Sequence, residues 1–521
     1  MKIIEKIRLK NFKRFPSFEI TFTNELNLLI GENETGKSSL LTAIELVLSG
    51  SRAKVEGHGL ENLLSQQAVS EFFSGSREQS TLPILCIELF LNEQDNPSLD
   101  GRVNMQGVQA NGLRLLCEPN QDLSREIQQV LEQQTDNFPF EHYAIRFMTF
   151  AGEAYSGYSK YLRYLLLDSS QINSDYATRD YINTLYQSLV TSPEQVGLKN
   201  AYRMQKDDFA RGNLAALNEH IKPYQFTIRS DSRSNLETDL SLMEDGISID
   251  NRGKGHQCFI KTAFALRRYG QEASLDTLLL EEPENHLSHA NMNKLISKIV
   301  TSHTKQLFIA THNSLISTRL NLRNAILLTK GSDQAITLRD LPADTARFFM
   351  KAPDNNLLEF ILAEKTILVE GDAEYILTAA FFEQVTGQSL ANAGVQVISV
   401  NGTSFKRYLD LALLLGMRTA VIRDNDGNGQ KNCTENYHDY TTGNISIFFD
   451  GNDKLSTFEI SLYAANQKVC EEAFGPGRRT LSVQEYMLAN KADCAFTLLE
   501  QCSKALTPPD YIIQAVRWII A

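Results

Sequence analysis

Three kinds of feature are missing from this chain. No apolar run approaches the roughly 18 residues that a bilayer-spanning helix needs, and the opening Met1-Lys2-Ile3-Ile4-Glu5-Lys6 carries no signal-peptide hydrophobic core, so a cytoplasmic protein is expected. The seven cysteines (Cys86, Cys117, Cys258, Cys433, Cys470, Cys494, Cys502) are odd in number and never in CxxC spacing. That excludes an evident disulfide framework or zinc site and leaves reduced, mostly buried thiols. Positive charge is also scarce: 63 acidic residues against 51 Lys and Arg give a formal net charge of −12, which argues against a generic electrostatic grip on nucleic acid.

What remains is ordinary globular composition, 42% hydrophobic and 22% charged, in 521 residues, enough for two to four domains. Basic charge is local. Lys6, Arg8, Lys10, Lys13 and Arg14 crowd the N-terminus, the first three alternating with Ile7 and Leu9 as on a half-exposed strand. Two readings stay open for them: a charged edge strand, or a strip that contacts phosphate.

Residues 31 to 38 read Gly31-Glu32-Asn33-Glu34-Thr35-Gly36-Lys37-Ser38, directly after the apolar run Leu26 to Ile30 and before a helical stretch, Ser39 to Leu48. Strand, glycine-bounded loop and helix form the context of a phosphate-binding loop. Backbone N–H groups and a helix N-terminus cradle phosphate oxygens there, Lys37 reaches the β/γ-phosphates and Ser38 ligates Mg²⁺. Gly31, Asn33, Gly36, Lys37, Ser38 and Ser39 are thus expected to hold ATP or GTP.

Far downstream, Leu275 to Leu280 reads as a buried strand ending in Glu281-Glu282-Pro283. An ATPase needs such a pair, Glu281 for the Mg²⁺ shell and Glu282 to orient the attacking water. A second apolar strand, Gln306 to Ala310, delivers Thr311-His312-Asn313-Ser314, where His312 reads as a γ-phosphate sensor or as a structural histidine. Between them, Asn251-Arg252-Gly253-Lys254-Gly255-His256-Gln257 precedes a helical pattern, Phe259 to Leu266, and is either a second phosphate-facing loop or a simple connection.

These segments resemble the ATP-binding-cassette ATPases that include SMC, Rad50 and RecF proteins. The resemblance implies that Ile7 to Phe15 is the first strand and turn, that Gly253 and Gly255 belong to a degenerate signature loop, and that His312 is the switch histidine. It further implies a homodimer in which each signature loop completes the partner's nucleotide site. The stretch between Lys37 and Gly253 is too short for a long coiled coil. Ile84 to Leu91 and Tyr143 to Phe150 look like strands, and a mostly helical reading runs from about Ser159 to His220, with apolar Tyr161, Tyr164, Leu165 and Leu167, then Tyr181, Leu185 and Leu189. No heptad is sustained. We expect residues 1–345 to form the ATPase domain, with a helical dimerisation element inserted at about 155–222; an ordinary helical lobe is the alternative.

After Pro353 strands and helices alternate: Thr366 to Val369, Val395 to Val400, Thr419 to Ile422 and Ile445 to Phe449 read as short strands of a parallel α/β sheet over residues 355–521. Chemistry in such a sheet sits at the carboxyl ends of its strands. The first ends in Glu370-Gly371 with Glu374 close behind, the third in Arg423-Asp424-Asn425-Asp426-Gly427. Glu370, Asp424 and Asp426 suit Mg²⁺ or Mn²⁺, Glu374 a second ion, and Glu459 is a further candidate ligand. Two ions are the apparatus of phosphodiester cleavage. The plainer readings are a turn at Asp426-Gly427 and a helix capping box at Ser456-Thr457-Phe458-Glu459.

This second arrangement resembles the Toprim domain. An ABC-type ATPase ahead of Toprim resembles the OLD (overcoming lysogenisation defect) family of ATP-dependent endonucleases, including the related nucleases of Gabija-type and retron-linked antiphage systems. The resemblance implies an α/β chain, an SMC-like head followed by Toprim, acting as a metal-dependent DNA endonuclease in antiphage defence. It implies Lys491 as a lysine beside the scissile phosphate, a solvated helix lysine being the plain alternative. It also implies an assembly of at least a homodimer, with a tetramer open, and a separately encoded partner such as a helicase or a reverse transcriptase with its RNA–DNA product. A Toprim ribonuclease acting on tRNA and an SMC-like regulatory DNA-binding ATPase without nuclease activity are the rival readings.

Overall fold

The computed structural model describes residues 2–521 apart from 134, 158–160, 170–181, 184, 187–188, 232–233, 254–255, 258, 261, 263–274, 286, 302–304, 314–315, 317–318, 331–333, 352–355, 403 and 477–479. Gly255, Cys258 and the carboxyl end of the helix expected from Phe259 therefore lie outside the described residues. The chain divides into two compact units, Met1–His312 with Ile326–Ala335, and Asn313–Ala325 with Ile336–Ala521.

The first unit contains two sheets and a small hairpin. Its strands in chain order are β1 (Ile4–Phe12), β2 (Phe15–Thr21), β3 (Leu26–Ile30), β4 (Leu85–Leu91), β5 (Asp100–Gly101), β6 (Ala110–Pro119), β7 (Tyr143–Thr149), β8 (Tyr164–Asp168), β9 (Met243–Glu244), β10 (Ile247–Ser248), β11 (Thr277–Glu281), β12 (Gln306–Thr311), β13 (Ala325–Leu328) and β14 (Ala335–Thr337). The last two reach across the division between the units. An antiparallel sheet runs β2-β1-β4-β6-β5, with β7 also on β6. Strand β1 is paired on both sides, so it is not the edge strand that its charges allowed. Ile4, Ile7 and Leu9 enter the core, while Lys6 and Arg8 reach Glu19 at 3.3 and 2.6 Å.

The second sheet runs β14-β13-β3-β12-β11-β8, with β3, β12, β11 and β8 parallel. Its register sets Ile30 beside Thr311, and Glu281 between Ala310 and Asp168. The phosphate loop, the acidic pair and His312 thus leave the sheet from the same end. Strand β8 corrects the helical reading of Tyr161 to Leu167. A short continuous apolar run fits a buried strand and a buried helix equally well, and here its pairing with Thr277–Glu281 decides for strand. Helix is present farther on, at Ser192–Asn213 and Ala215–Glu219, where the Glu194 carboxylate accepts the Thr191 N–H at 2.8 Å and starts the longer helix.

The second unit carries an all-parallel sheet in the order β16-β15-β17-β18, with β15 at Lys365–Val369, β16 at Val395–Ser399, β17 at Arg418–Ile422 and β18 at Ile445–Phe448. These are the four strands expected from the sequence. Ile367, Val369, Ala420 and Ile422 meet Leu377, Phe381, Phe382, Leu498, Ile512 and Val516 in one core. The helix Asp372–Thr386 packs on the helices Lys491–Cys502 and Asp510–Ile520. Among the described residues no helix is long and apolar enough to cross a membrane, and the described cysteines are free thiols, five of them buried.

Candidate active sites

The phosphate loop is shaped by backbone demands that glycine meets. Gly36 caps helix α1 (Lys37–Ser49) with φ +98, and a Cβ there would fall 2.5 Å from the ring of Phe15. A Cβ on Gly31 would lie 2.4 Å from the Leu328 carbonyl. The Lys37 ammonium turns back onto its own loop, donating to the Gly31 and Glu32 carbonyls at 2.7 Å each. Burial pushes its pKa below the usual lysine range against the opposing pull of Glu282, Glu281 and Glu284. Asn33 and Ser38 are exposed and Ser39 half-buried, at the mouth of the loop.

The acidic strand end meets this loop. The Ser38 hydroxyl donates to the Glu281 carboxylate, whose pKa is raised by burial and further by Asp168 and Glu282. The two residues expected around one Mg²⁺ are therefore already in contact. Glu282 sits at φ +45, its Oε1 3.1 Å from His312 Nδ1 and its Oε2 accepting from Asn285 Nδ2 at 2.8 Å. The sequence reading missed two acids here. Asp168 lies across from Glu281 in the register, and buried Glu284 accepts from the Thr311 hydroxyl, its pKa raised by burial. Glu284 follows the acidic pair by two residues and was legible as a third carboxylate in Glu281-Glu282-Pro283-Glu284. Farther along the chain, Gly253 O accepts the His256 and Gln257 N–H groups at 2.9 and 3.0 Å, and His256 Nε2 lies 2.8 Å from Glu244 on the β9–β10 hairpin.

In the second unit the strand ends gather carboxylates. Glu370 follows β15, and Glu374 lies in the first turn of the helix Asp372–Thr386, facing inward and buried. Asp424 follows β17, and its N–H bonds the Glu370 carboxylate. Asp424 Oδ1 accepts the Phe458 N–H at 2.7 Å, which corrects the capping-box reading. Thr457 is the N-cap, yet its hydroxyl is buried without a hydrogen-bond partner, because the site aspartate supplies the cap. Glu459 is 3% exposed and turns to Lys491, its Oε2 3.1 Å from Nζ. Asp426 is half-exposed at φ +50, with Oδ2 3.6 Å from the Arg423 guanidinium.

Four acids, Glu370, Glu374, Asp424 and Glu459, thus share one poorly solvated place. Burial raises the pKa of Glu374 to about 7, with Glu459 and Glu370 adding to the shift. It raises Asp424 to about 8, with Glu374, Glu370 and Glu459 adding. For Lys491 burial works against the charge, but Glu459, Asp424 and Glu374 hold its pKa above the ordinary value. Glu370 Oε2 is buried without a hydrogen-bond partner. Among the described residues no three His, Cys, Asp or Glu side chains stand as a ready-made metal-ligating group. An orphaned buried carboxylate oxygen, together with acids crowded where burial and one another disfavour their charge, fits a hard divalent cation held by oxygen alone.

Two further groups here escaped the sequence reading. Arg423, one residue before Asp424, is buried beside Glu370 and bonds the Tyr437 hydroxyl. The side chain of Asn425 donates to the carbonyls of Asp450, Asn452 and Leu455 at 2.8 to 3.2 Å.

Comparison with known proteins agrees with both halves. Residues 361–426 match the family described as overcoming lysogenization defect protein-like, TOPRIM domain. Residues 1–106 match an AAA ATPase domain, and 146–318 an AAA domain described as putative AbiEii toxin, Type IV TA system. The endonuclease GajA of Bacillus cereus (strain VD045) is 22% identical over 467 residues, 82% of this chain and 75% of that protein. The Old nuclease of Escherichia phage P2 is 21% identical over 160 residues, and the match spans 29% of this chain and about a quarter, 27%, of that relative. Among solved structures, the C-terminal region of the Xanthomonas campestris pv. campestris OLD protein is 22% identical with a TM-score of 0.23, covering 30% of this chain and 92% of that one. The chain thus combines stretches similar to AAA ATPase domains with a stretch similar to the OLD-like Toprim domain.

Proposed function

We propose that the chain is an ATP-regulated, divalent-metal-dependent endonuclease that cleaves DNA phosphodiester bonds and serves in antiphage defence. The observation that carries this reading is a cluster of four acids, Glu370 and Asp424 just past adjoining parallel strands and Glu374 and Glu459 in the first turns of two helices, with Glu374 and Asp424 raised to about 7 and about 8 and Lys491 at its rim. The similarity to the Old nuclease and to endonuclease GajA supports the same class of reaction.

On this reading Glu370, Glu374, Asp424, Asp426 and Glu459 hold Mg²⁺ or Mn²⁺. When bound, the metal supplies nucleophile activation and neutralises charge at the scissile phosphate. The protein's own part is placement. Asp424 fixes the start of the helix Phe458–Ala465 and so the position of Glu459, while Glu459 aims Lys491 at the rim, where negative charge develops on phosphate oxygens. In the first unit, Gly31, Asn33, Gly36, Lys37, Ser38 and Ser39 hold ATP, Glu281 and Ser38 share its Mg²⁺, Glu282 orients the attacking water and His312 reads the γ-phosphate. Gly253 and Gly255 serve the site of a second copy, which makes a homodimer the smallest active assembly.

The test is purified protein with plasmid DNA and, separately, tRNA, in Mg²⁺ or Mn²⁺, with and without ATP, beside Asp424→Ala. DNA cleavage that the substitution abolishes is the expected result. Cleavage of tRNA alone would make the chain a ribonuclease, and persistence of cleavage in Asp424→Ala would remove the Toprim site from the chemistry.

A further inference from the structure

The end of β17 carries a charged group that neither the acidic motif nor the nucleotide site uses. Arg423 is 7% exposed, an uncommon depth for arginine. Its backbone is fixed on the neighbouring strand, N–H to Phe448 O at 3.0 Å. Its side chain is fixed twice more: Nη1 donates to the Tyr437 hydroxyl, and Cζ lies 5.2 Å from the centre of the Tyr437 ring. Tyr437 itself is 1% exposed, so the brace is rigid. The remaining edge of the guanidinium faces the acids. Nη2 is 3.6 Å from Asp426 Oδ2, and Arg423 is the foremost positive influence on Glu370. Nε, like Glu370 Oε2, is buried without a hydrogen-bond partner.

Asp426 is the one acid of the set that burial does not hold. It is half-exposed, at positive φ, on a turn rather than a strand. A ligand in that situation loses side-chain entropy when it coordinates, unless something has already fixed it.

We propose that Arg423 is a positioning residue of the metal site: braced by Tyr437, its guanidinium holds Asp426 on the side of the acid cluster where the unpartnered oxygen of Glu370 lies. This rests on the metal-dependent reading above. Arg423 does not touch the metal or the phosphate in this role; it acts through Asp426.

The competing account is that Arg423 is a simple counter-charge, and the two accounts differ in sign. Removing a counter-charge beside five acids strengthens divalent-cation binding, whereas removing a positioning group weakens it. The experiment is calorimetric Mn²⁺ titration of the full chain, without nucleic acid, for wild type, Arg423→Met, Arg423→Lys, Tyr437→Phe and Asp424→Ala. We expect Arg423→Met to weaken Mn²⁺ binding about tenfold or more. Tyr437→Phe leaves the charge untouched, removes the hydroxyl half of the brace while keeping the ring, and weakens binding in the same direction to a smaller extent. Arg423→Lys recovers only part, because an ammonium lacks the planar fork. In cleavage assays the Mn²⁺ concentration for half-maximal rate rises more than kcat falls. Tighter or unchanged Mn²⁺ binding in Arg423→Met, or wild-type binding in Tyr437→Phe, overturns the proposal and leaves the metal site standing. A wild type whose titration matches that of Asp424→Ala overturns the metal reading itself, and this proposal with it.

Discussion

His312 and Glu282 hold one another: Nδ1 of the histidine lies 3.1 Å from Oε1 of the glutamate, while Asn285 keeps the other carboxylate oxygen at 2.8 Å. The acid proposed to orient water is therefore held at both of its carboxylate oxygens. Glu282→Gln keeps the shape of that contact and removes the basic oxygen. Nucleotide binding should be retained while phosphate release falls by at least about a hundredfold. A fluorescent-nucleotide titration beside a phosphate-release assay checks both, and undiminished turnover would take Glu282 out of that role.

Lys37 gives two hydrogen bonds to its own loop that the proposed ATP would have to replace. Lys37→Ala removes the ligand-side gain as well as those bonds, so ATP should no longer raise the melting temperature. In wild type the rise should correspond to about 2.7 kcal/mol at a hundred times the dissociation constant. If cleavage by Lys37→Ala still responds to ATP as wild type does, the nucleotide acts elsewhere.

Stability should depend on pH in a way that metal reverses. Glu374 and Asp424 are acids whose pKa values folding raises, to about 7 and about 8, so the folded chain keeps protons that the unfolded chain releases near pH 4. Their contribution is fully present below the unfolded values and is lost as pH rises through the folded ones. In EDTA the melting temperature of the second unit should fall from about pH 5 to about pH 8. Saturating Mn²⁺, which binds the deprotonated acids, should flatten or invert that slope. Parallel curves with and without metal would show that no cation enters this cluster.

Lys491 and Glu459 form an ion pair whose acid is buried and whose base is half-exposed. If the lysine also serves the phosphate, Lys491→Met should lower cleavage about a hundredfold. The same substitution leaves metal affinity undiminished, since it removes a positive charge from the neighbourhood. A modest loss of stability without loss of rate would instead confine Lys491 to holding Glu459.

Much of this was legible in the sequence because parallel sheets write their sites plainly. A strand buried on both faces is a short apolar run, and the first polar residues after it stand at the sheet's working edge. Gly31, Glu281, His312, Glu370 and Asp424 are each that first or second residue. The run Tyr164 to Leu167 shows the limit of the same rule: without a polar terminus of known meaning, four apolar residues do not declare strand or helix. Partnerships across the chain were hidden for a different reason. That Asp424 caps a helix beginning more than thirty residues later, or that Arg423 braces on Tyr437, depends on which loops the fold brings together, and Ser456-Thr457-Phe458-Glu459 offered a local cap that tertiary structure declined.

The uncharged residue between the two motif aspartates has a mechanical consequence. Because one amide group of Asn425 is shared among the carbonyls of Asp450, Asn452 and Leu455, the turn that carries the aspartates and the loop after β18 are stitched into a single piece. Displacing that loop displaces the acids with it, so its position and the spacing of the carboxylates are geared to one another, and neither can be adjusted alone.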